Sequence, residues 1–333
     1  MTSAITERSA HPYAPGAPTD AFCAAPELGL LAFTGPDAEA FLQGQLSSDL
    51  KELTPGAVQL SSYNSAKGRM LATLLIWRDG NESLCALVAA DLVEPLRKRL
   101  SMYVLRARVT VADFSTSHTV LGIGGARASE VVHAAMGSAP DRGNVLVGES
   151  ATLVGFPDGR IVVVAPEPSA AALRIKFATK ATTVPPEFWR WLGIRAGVPT
   201  IVAATQDLFV LQTTNWDLLG GVSFQKGCYP GQEIVARTQY LGRQKERMQL
   251  FHVAGPPPPP ATKIYGTVFG DQACGTVVDA AQSPEGGSDL LAVLQLSALE
   301  GPLCLGTPDG PALTPLPLPY SIPAPVAPNR PKL

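Results

Sequence analysis

Five consecutive prolines, residues 256–260, cannot form an α-helix or a central β-strand, because none donates a backbone hydrogen bond and each fixes φ near −65°. The run reads as a stiff, extended spacer that divides the chain of 333 residues unequally. At about 150 residues per domain, that length suggests two units, with three smaller ones possible. Beyond the prolines, residues 264–269, 274–280, 290–296 and 302–305 are short apolar runs separated by turn residues. This is the pattern of a small antiparallel barrel or sandwich. We place it at 261–320, with a link at 248–255 before the spacer and a proline-rich tail at 321–333.

The part before the prolines mixes strand and helix signals. Residues 28–34 are a short apolar strand, broken by Gly35-Pro36-Asp37. A helix over 38–50 follows, with Ala38, Phe41, Leu42 and Leu46 on one face. Strands are predicted at 58–63, 69–78 and 84–89, a helix at 91–105 and a closing strand at 109–114. The next stretch repeats the order: strand 119–123, helix 126–136, strands 144–147, 151–156 and 160–165, and helix 169–179. TGPDAEAFL at 34–42 and GGARASEVV at 124–132 both set a glycine before a helix of apolar spacing, although their identity is weak. Strands and helices in this short order indicate an α+β fold of two ferredoxin-like units, at 27–115 and 116–185. A helix at 187–196 comes next, stopped by Gly197 and Pro199. Residues 1–26, rich in proline and polar residues, read as a disordered leader.

Composition excludes several classes. Hydrophobic residues make up 46 % and charged residues 16 %, enough for packed cores and too few charges for a disordered chain. Lys and Arg number 26 against 28 Asp and Glu, so the chain is no polycation, and direct nucleic-acid binding is not expected. There is no run of about 18 apolar residues to span a membrane, and the N-terminus has no apolar core of a secretory signal. The five cysteines (Cys23, Cys85, Cys228, Cys274 and Cys304) are scattered and form no CxxC, and the four histidines show no ligand spacing. We expect no disulfide framework, no metal site and a cytoplasmic protein.

The densest chemical constellation is KGCYPGQE at 226–233. Pro230 suits the first turn of a helix running to Tyr240. Cys228 then sits just before a helix N-terminus with Lys226 two residues away, and both features favour thiolate over thiol. The alternative is a small, inert, packed cysteine, the commoner fate of a lone one. Gly227 and Gly231 imply either a close backbone approach or a turn requirement. Arg237, Arg243, Lys245 and Arg247 form a basic run that either meets an anionic partner or is a solvated helix end.

The stretch FQKGCYPGQEIVARTQYLG at 224–242 strongly resembles the signature of the YgfZ family of folate-binding proteins, which is similar in fold to the glycine-cleavage T-protein, GcvT, an aminomethyltransferase. FLQGQLSSDL at 41–50, NSAKGRMLATLLIWRDG at 64–80, AGVPTI at 196–201 and TTNWDLLGGVSF at 213–224 add to the resemblance, which covers residues 27–320. It implies a GcvT/YgfZ-like three-lobed fold: two ferredoxin-like lobes around a central channel and a C-terminal antiparallel β-barrel. Residues 186–247 would complete the first, folate-binding lobe. It further implies a tetrahydrofolate or a one-carbon derivative as ligand, and iron–sulfur client enzymes or assembly factors as partners. The role implied is that of an accessory protein for iron–sulfur enzymes, indirectly supporting tRNA modification. In that reading Cys228 is the functional thiol and Lys226 its electrostatic partner, within a motif completed by Gly227, Tyr229, Gly231, Gln232 and Glu233. Trp189 is the candidate clamp for the folate ring, facing away from Trp191; the alternative is that both simply pack their helix. Gln45, Asn64 and Arg237 are candidate polar contacts. Where the T-protein carries paired acids, this chain has Leu71 and Ala72, so aminomethyl transfer is not expected. A one-carbon transferase or demethylase, and a non-catalytic interaction module with structural folate, are the alternatives.

Overall fold

The structure is a computed structural model that describes residues 17–24, 26–80, 83–240 and 244–323. After a short strand β1 (Ala21–Cys23), the chain forms β2 (Leu28–Thr34), α1 (Ala38–Gln43), β3 (Val58–Asn64), β4 (Met70–Arg78), β5 (Ser83–Ala89), α2 (Val93–Ser101) and β6 (Thr110–Asp113). These strands make one antiparallel sheet in the order β3-β4-β5-β2-β6. The apolar run MLATLLIWR buries all of β4 except its last residue, as expected of a strand covered on both faces. Helix α1 is shorter than its apolar pattern suggests. It ends at Gly44, and the chain folds into the turn that carries Ser47 and Ser48.

The second unit repeats the order with β7 (His118–Gly124), α3 (Ala128–Met136), β8 (Val145–Val147), β9 (Thr152–Gly155), β10 (Ile161–Pro166), α4 (Glu167–Ala178) and β11 (Thr182–Thr183). Its sheet runs β11-β1-β7-β10-β9-β8. Strand β1 therefore takes the position beside β7 that β6 takes beside β2, antiparallel in both cases. The last strand, β11, is displaced outward and runs parallel to β1. This corrects the reading of residues 1–26 as a disordered leader. Residues 21–23 are a buried strand, and Phe22 stacks on Phe177 of α4 at 5.6 Å between ring centres. A three-residue strand between proline- and charge-rich neighbours leaves no periodic signal, and only the open sheet edge organises it. Residues 1–16 lie outside the described part.

A third unit holds β12 (Glu246–Val253), β13 (Lys263–Gly266), β14 (Ala273–Gln282), β15 (Ser288–Gln295), β16 (Leu303–Leu305) and β17 (Leu313–Leu316), joined antiparallel in the order β16-β13-β14-β15-β12-β17. A bridge between Cys304 of β16 and Ala312, the residue before β17, brings the two edges of the sheet together into a barrel. The prolines are not a boundary between domains. Strand β12, upstream of them, pairs with β15 along its whole length, so residues 248–255 are no link and the barrel begins at Glu246. The proline run is a surface connection from β12 to β13. An extended, donor-free segment suits such a crossing as well as it suits a linker. Of the tail, residues 321–323 are described without regular structure.

Helix α5 (Pro186–Arg195) is wedged where the three units meet. Gly122 and Gly124, two apart on β7, share one face of that strand. An added Cβ would lie 2.7 Å from the Trp189 ring at Gly122 and 2.3 Å from Leu192 at Gly124. The missing side chains let the helix sit directly on the strand. On the other side, Trp191 donates its indole N–H to Asp289 of β15 at 2.8 Å, and Arg195 reaches the same carboxylate at 3.5 Å.

Candidate functional site

A cavity of about 340 Å³ lies where the units converge. Leu60, Leu75 and Leu87 of the first sheet form its apolar wall, with Leu28 at the rim of β2. Trp189 of α5 faces it, meeting Phe156 edge-on at 6.0 Å and 82°. The Arg160 guanidinium lies 4.8 Å from the Phe156 ring centre and 4.9 Å from that of Trp189. Asp158 fixes that guanidinium through contacts of 2.8–3.1 Å in a buried ion pair. Gly193 leaves room for it, since an added Cβ would lie 2.9 Å from Nη1. At the barrel side, Arg190 hydrogen-bonds Glu27, and its Nε is 3.9 Å from Asp279 of β14. Burial pushes the Asp279 carboxyl up to about 7, against the pull of Arg190.

Trp189, the candidate clamp, lines the cavity, while Trp191 points to the barrel. The other candidate contacts do not reach the cavity. Asn64 ends β3 beside the turn after α1, accepting from Ser62 at 3.1 Å. Gln45 lies in that turn, and Arg237 is exposed in the last turn of α6 (Gln232–Tyr240). Turn and helix positions look equally polar in a sequence, whichever side of the lobe they occupy. Leu71 and Ala72 are buried in β4, and the neighbouring Thr73 lines the cavity. Arg160 and Asp279 escaped the sequence reading. Their only signal is a lone charge in an apolar strand context, RIVVVA at 160–165 and GTVVDAA at 275–281.

The KGCYPGQE signature forms a second centre. Gly231 has φ +79°, and an added Cβ would lie 2.5 Å from both Gly68 Cα and Ser65 O. Gly68, at φ +70°, would in turn press on Ile234 at 2.9 Å. The KGRM turn and the signature therefore touch backbone to backbone, which only glycines permit. Gly227 has open space around its Cβ position and meets no such demand. Tyr229 is buried, with the Lys226 ammonium 5.2 Å from its ring centre, and burial pushes its hydroxyl up to about 12. Gln232 approaches the Lys226 carbonyl at 3.5 Å, and Glu233 is exposed.

Lys226, expected as the electrostatic partner of the thiol, directs its ammonium to another segment. Its Nζ donates to the carbonyls of Gln43, Leu46 and Ser48 at 2.7, 2.6 and 2.8 Å. An ammonium has three protons, and all three are engaged. Burial lowers its pKa to about 8, with Asp49 opposing, so it remains an ammonium at neutral pH. The lysine clamps the end of α1 to the signature loop. The basic run also divides: Arg247 is buried in a bidentate pair with Asp217 at 2.7 and 3.0 Å, Lys245 is exposed, and Arg243 lies outside the described residues.

Cys228 is exposed, Cys304 half-buried, and Cys23, Cys85 and Cys274 buried. Burial raises the thiols of Cys85 and Cys274, and Asp79 adds to the effect at Cys85. Iodoacetamide should therefore modify Cys228 first in the native protein, as peptide mapping by mass spectrometry would show. Because Cys228 does not line the central cavity, a saturating cavity ligand should leave that rate unchanged. Modification of a buried cysteine ahead of Cys228 would contradict this exposure order.

No group of three His, Cys, Asp or Glu side chains able to hold a metal occurs among the described residues, and no helix there is long and apolar enough to cross a membrane. Residues 22–145 match the GCVT N-terminal domain. The fold is similar to that of the glycine cleavage system aminomethyltransferase T from Bartonella henselae, with a TM-score of 0.74 over 91 % of this chain and 87 % of that one, at 14 % identity. In sequence the chain is 31 % identical over 298 residues to the tRNA-modifying protein YgfZ of Escherichia coli O45:K1 (strain S88 / ExPEC), spanning 88 % of this chain and 91 % of that protein. It is 30 % identical, over the same shares, to the protein of that name from Shigella sonnei (strain Ss046). With the GcvT-like architecture of three units and a relative of this similarity along nearly its whole length, the chain belongs to the YgfZ family.

Proposed function

We propose that this protein binds a tetrahydrofolate in the central cavity and acts as an accessory factor in tRNA modification, by sustaining iron–sulfur enzymes that act there. The cavity carries the reading. A reduced folate presents a flat pterin, an aromatic middle and an anionic tail. The cavity supplies an apolar wall, the Trp189 and Phe156 rings, and the charged groups of Arg160, Arg190 and Asp279. Its volume falls in the range of small-ligand sites, roughly 300–1,000 Å³. When bound, the folate would supply a one-carbon carrier. Trp189 and the apolar wall hold the ring system and exclude water from it, and the fixed guanidinium of Arg160 stiffens the aromatic pair.

Aminomethyl transfer is not part of this reading, since β4 presents no acid at positions 71 and 72. The outward-facing Cys228 supports the accessory role: one thiol cannot hold a cluster alone, so any cluster it meets brings ligands from a client or a small thiol. The name carried by the relatives, tRNA-modifying protein, supports the tRNA link.

Titration with tetrahydrofolate under anaerobic conditions, followed by tryptophan fluorescence, tests the reading. Quenching should saturate, and Trp189→Ala should weaken binding by about 1–3 kcal/mol, the scale of one aromatic contact plus the area it buries. Equal affinity in the variant, measured by calorimetry, would remove Trp189 from the site.

A further inference from the structure

The pairing of β14 with β15 slips by one residue at the cavity. Val277 faces Ala292 and Asp279 faces Leu291, leaving Val278 as the extra residue of a bulge. Val277 and Ala280 point into the barrel core, whereas Val278 and Ala281 pack with the core shared by the other units. Without the bulge, Asp279 would follow Val277 into the barrel interior. With it, the carboxylate reaches the cavity wall. Bulges often re-aim a side chain in this way beside a binding site.

The carboxylate arrives with few partners. It is 4 % exposed. Its Oδ1 accepts from the Ala280 amide at 2.9 Å, and Arg190, engaged with Glu27, stays 3.9 Å away. No hydrogen bond to Oδ2 is found among the described residues. A buried carboxylate aimed into a cavity with lone pairs unused is a receptor for N–H donors.

We propose that Asp279 accepts the paired N–H donors of an amidine-like ring edge, the 2-amino group and N3–H of a pterin, and so sets the orientation of the ring in the cavity. The inference rests on the folate reading above and names the atoms that would read the ligand. Two parallel carboxylate oxygens match two parallel donors, as they match a guanidinium. The same charge repels a glutamate tail, so the pterin end points to the barrel and the tail away from it.

The groups facing Asp279 are Arg190 from α5, Glu27 before β2, Arg160 before β10 and the Ala280 amide. With its carboxyl near 7, Asp279 is partly protonated at neutral pH. Donors bind the ionised form, so ligand binding releases a proton, and affinity falls as pH drops through 7.

The test uses the full chain and 5-formyl-tetrahydrofolate, whose acylated N5 does not titrate in this range. Calorimetry should show affinity falling about tenfold from pH 8 to pH 6, with proton release detected in buffers of different ionisation enthalpy. Asp279→Asn should lose about tenfold or more at pH 8 and show a flat profile. An analogue lacking the 2-amino group should lose about tenfold with the natural chain and nothing further with the variant. Full affinity in the variant, or full affinity of the analogue for the natural chain, would overturn the role of Asp279 while leaving folate binding intact. Should the variant not fold, the affinity of the natural chain for the analogue lacking the 2-amino group decides alone. Absence of binding at every pH would overturn the folate reading and this inference together.

Discussion

Replacing Gly231 by alanine should cost about 3 kcal/mol of stability or more, while the same change at Gly227, four residues earlier in the same motif, should cost less than about 0.5 kcal/mol. At Gly231 two penalties combine. The backbone sits at φ +79°, where a Cβ costs roughly 1–2 kcal/mol. The new Cβ also falls 2.5 Å from the Ser65 carbonyl and from Gly68 Cα, and overpacking of that kind costs about 1–3 kcal/mol. The clashing atoms are backbone, so no side-chain rotamer relieves them. At Gly227 nothing lies within 4 Å of the Cβ position. Urea denaturation of the two variants, read by tryptophan fluorescence, separates them. Equal midpoints would mean that the KGRM turn and the signature loop are not tied through this contact.

That contrast shows where sequence stops being readable. The order of elements in the two ferredoxin-like units follows from apolar periodicity and turn residues, because each strand and helix buries a stripe that its own sequence marks. Strand 28–34 has the same bounds in sequence and structure. The barrel strands are legible for the same reason, but the assignment of β12 is not. Its alternation is plain, yet only the partner β15 decides which sheet receives it, and the prolines that suggest a boundary are compatible with a surface loop. The two glycines of the signature look identical in sequence, although one is pressed against another backbone and the other is free. Lys226 and Cys228, close in sequence, read as a functional pair. In three dimensions the flexible lysine stem carries its charge to the carbonyls of another segment about 180 residues upstream. The cavity wall mixes both cases: Trp189 was legible through the family pattern, whereas Asp279 depends on a one-residue slip in pairing that no local composition encodes.

The second large effect concerns that lysine. Lys226→Met should lower stability by about 3 kcal/mol, because it removes the three N–H donors that the lysine supplies to the carbonyls of Gln43, Leu46 and Ser48 and replaces a charge-assisted cluster with an apolar tip. Each such bond contributes roughly 1.5–3 kcal/mol in mutational comparisons, and the desolvation cost of the buried ammonium offsets part of the sum. Methionine keeps the length of the stem, so the loss reports the hydrogen bonds rather than a cavity. Arginine should not restore stability, since a planar fork cannot direct three protons at three carbonyls converging on one point. The neighbouring polar groups sharpen the expectation. Ser47, at the centre of the clamped turn, bonds Ser62 and the Gly221 carbonyl at 2.9 and 2.6 Å. Loosening the turn therefore also disturbs the join between β3 and the segment leading to the signature. Cys228→Ala, in contrast, removes an exposed side chain and should leave the denaturation midpoint unchanged. If the alanine variant is as stable as the natural chain but fails to restore tRNA modification in cells lacking the protein, the thiol carries function and the lysine carries structure. A methionine variant as stable as the natural chain would remove the clamp from Lys226.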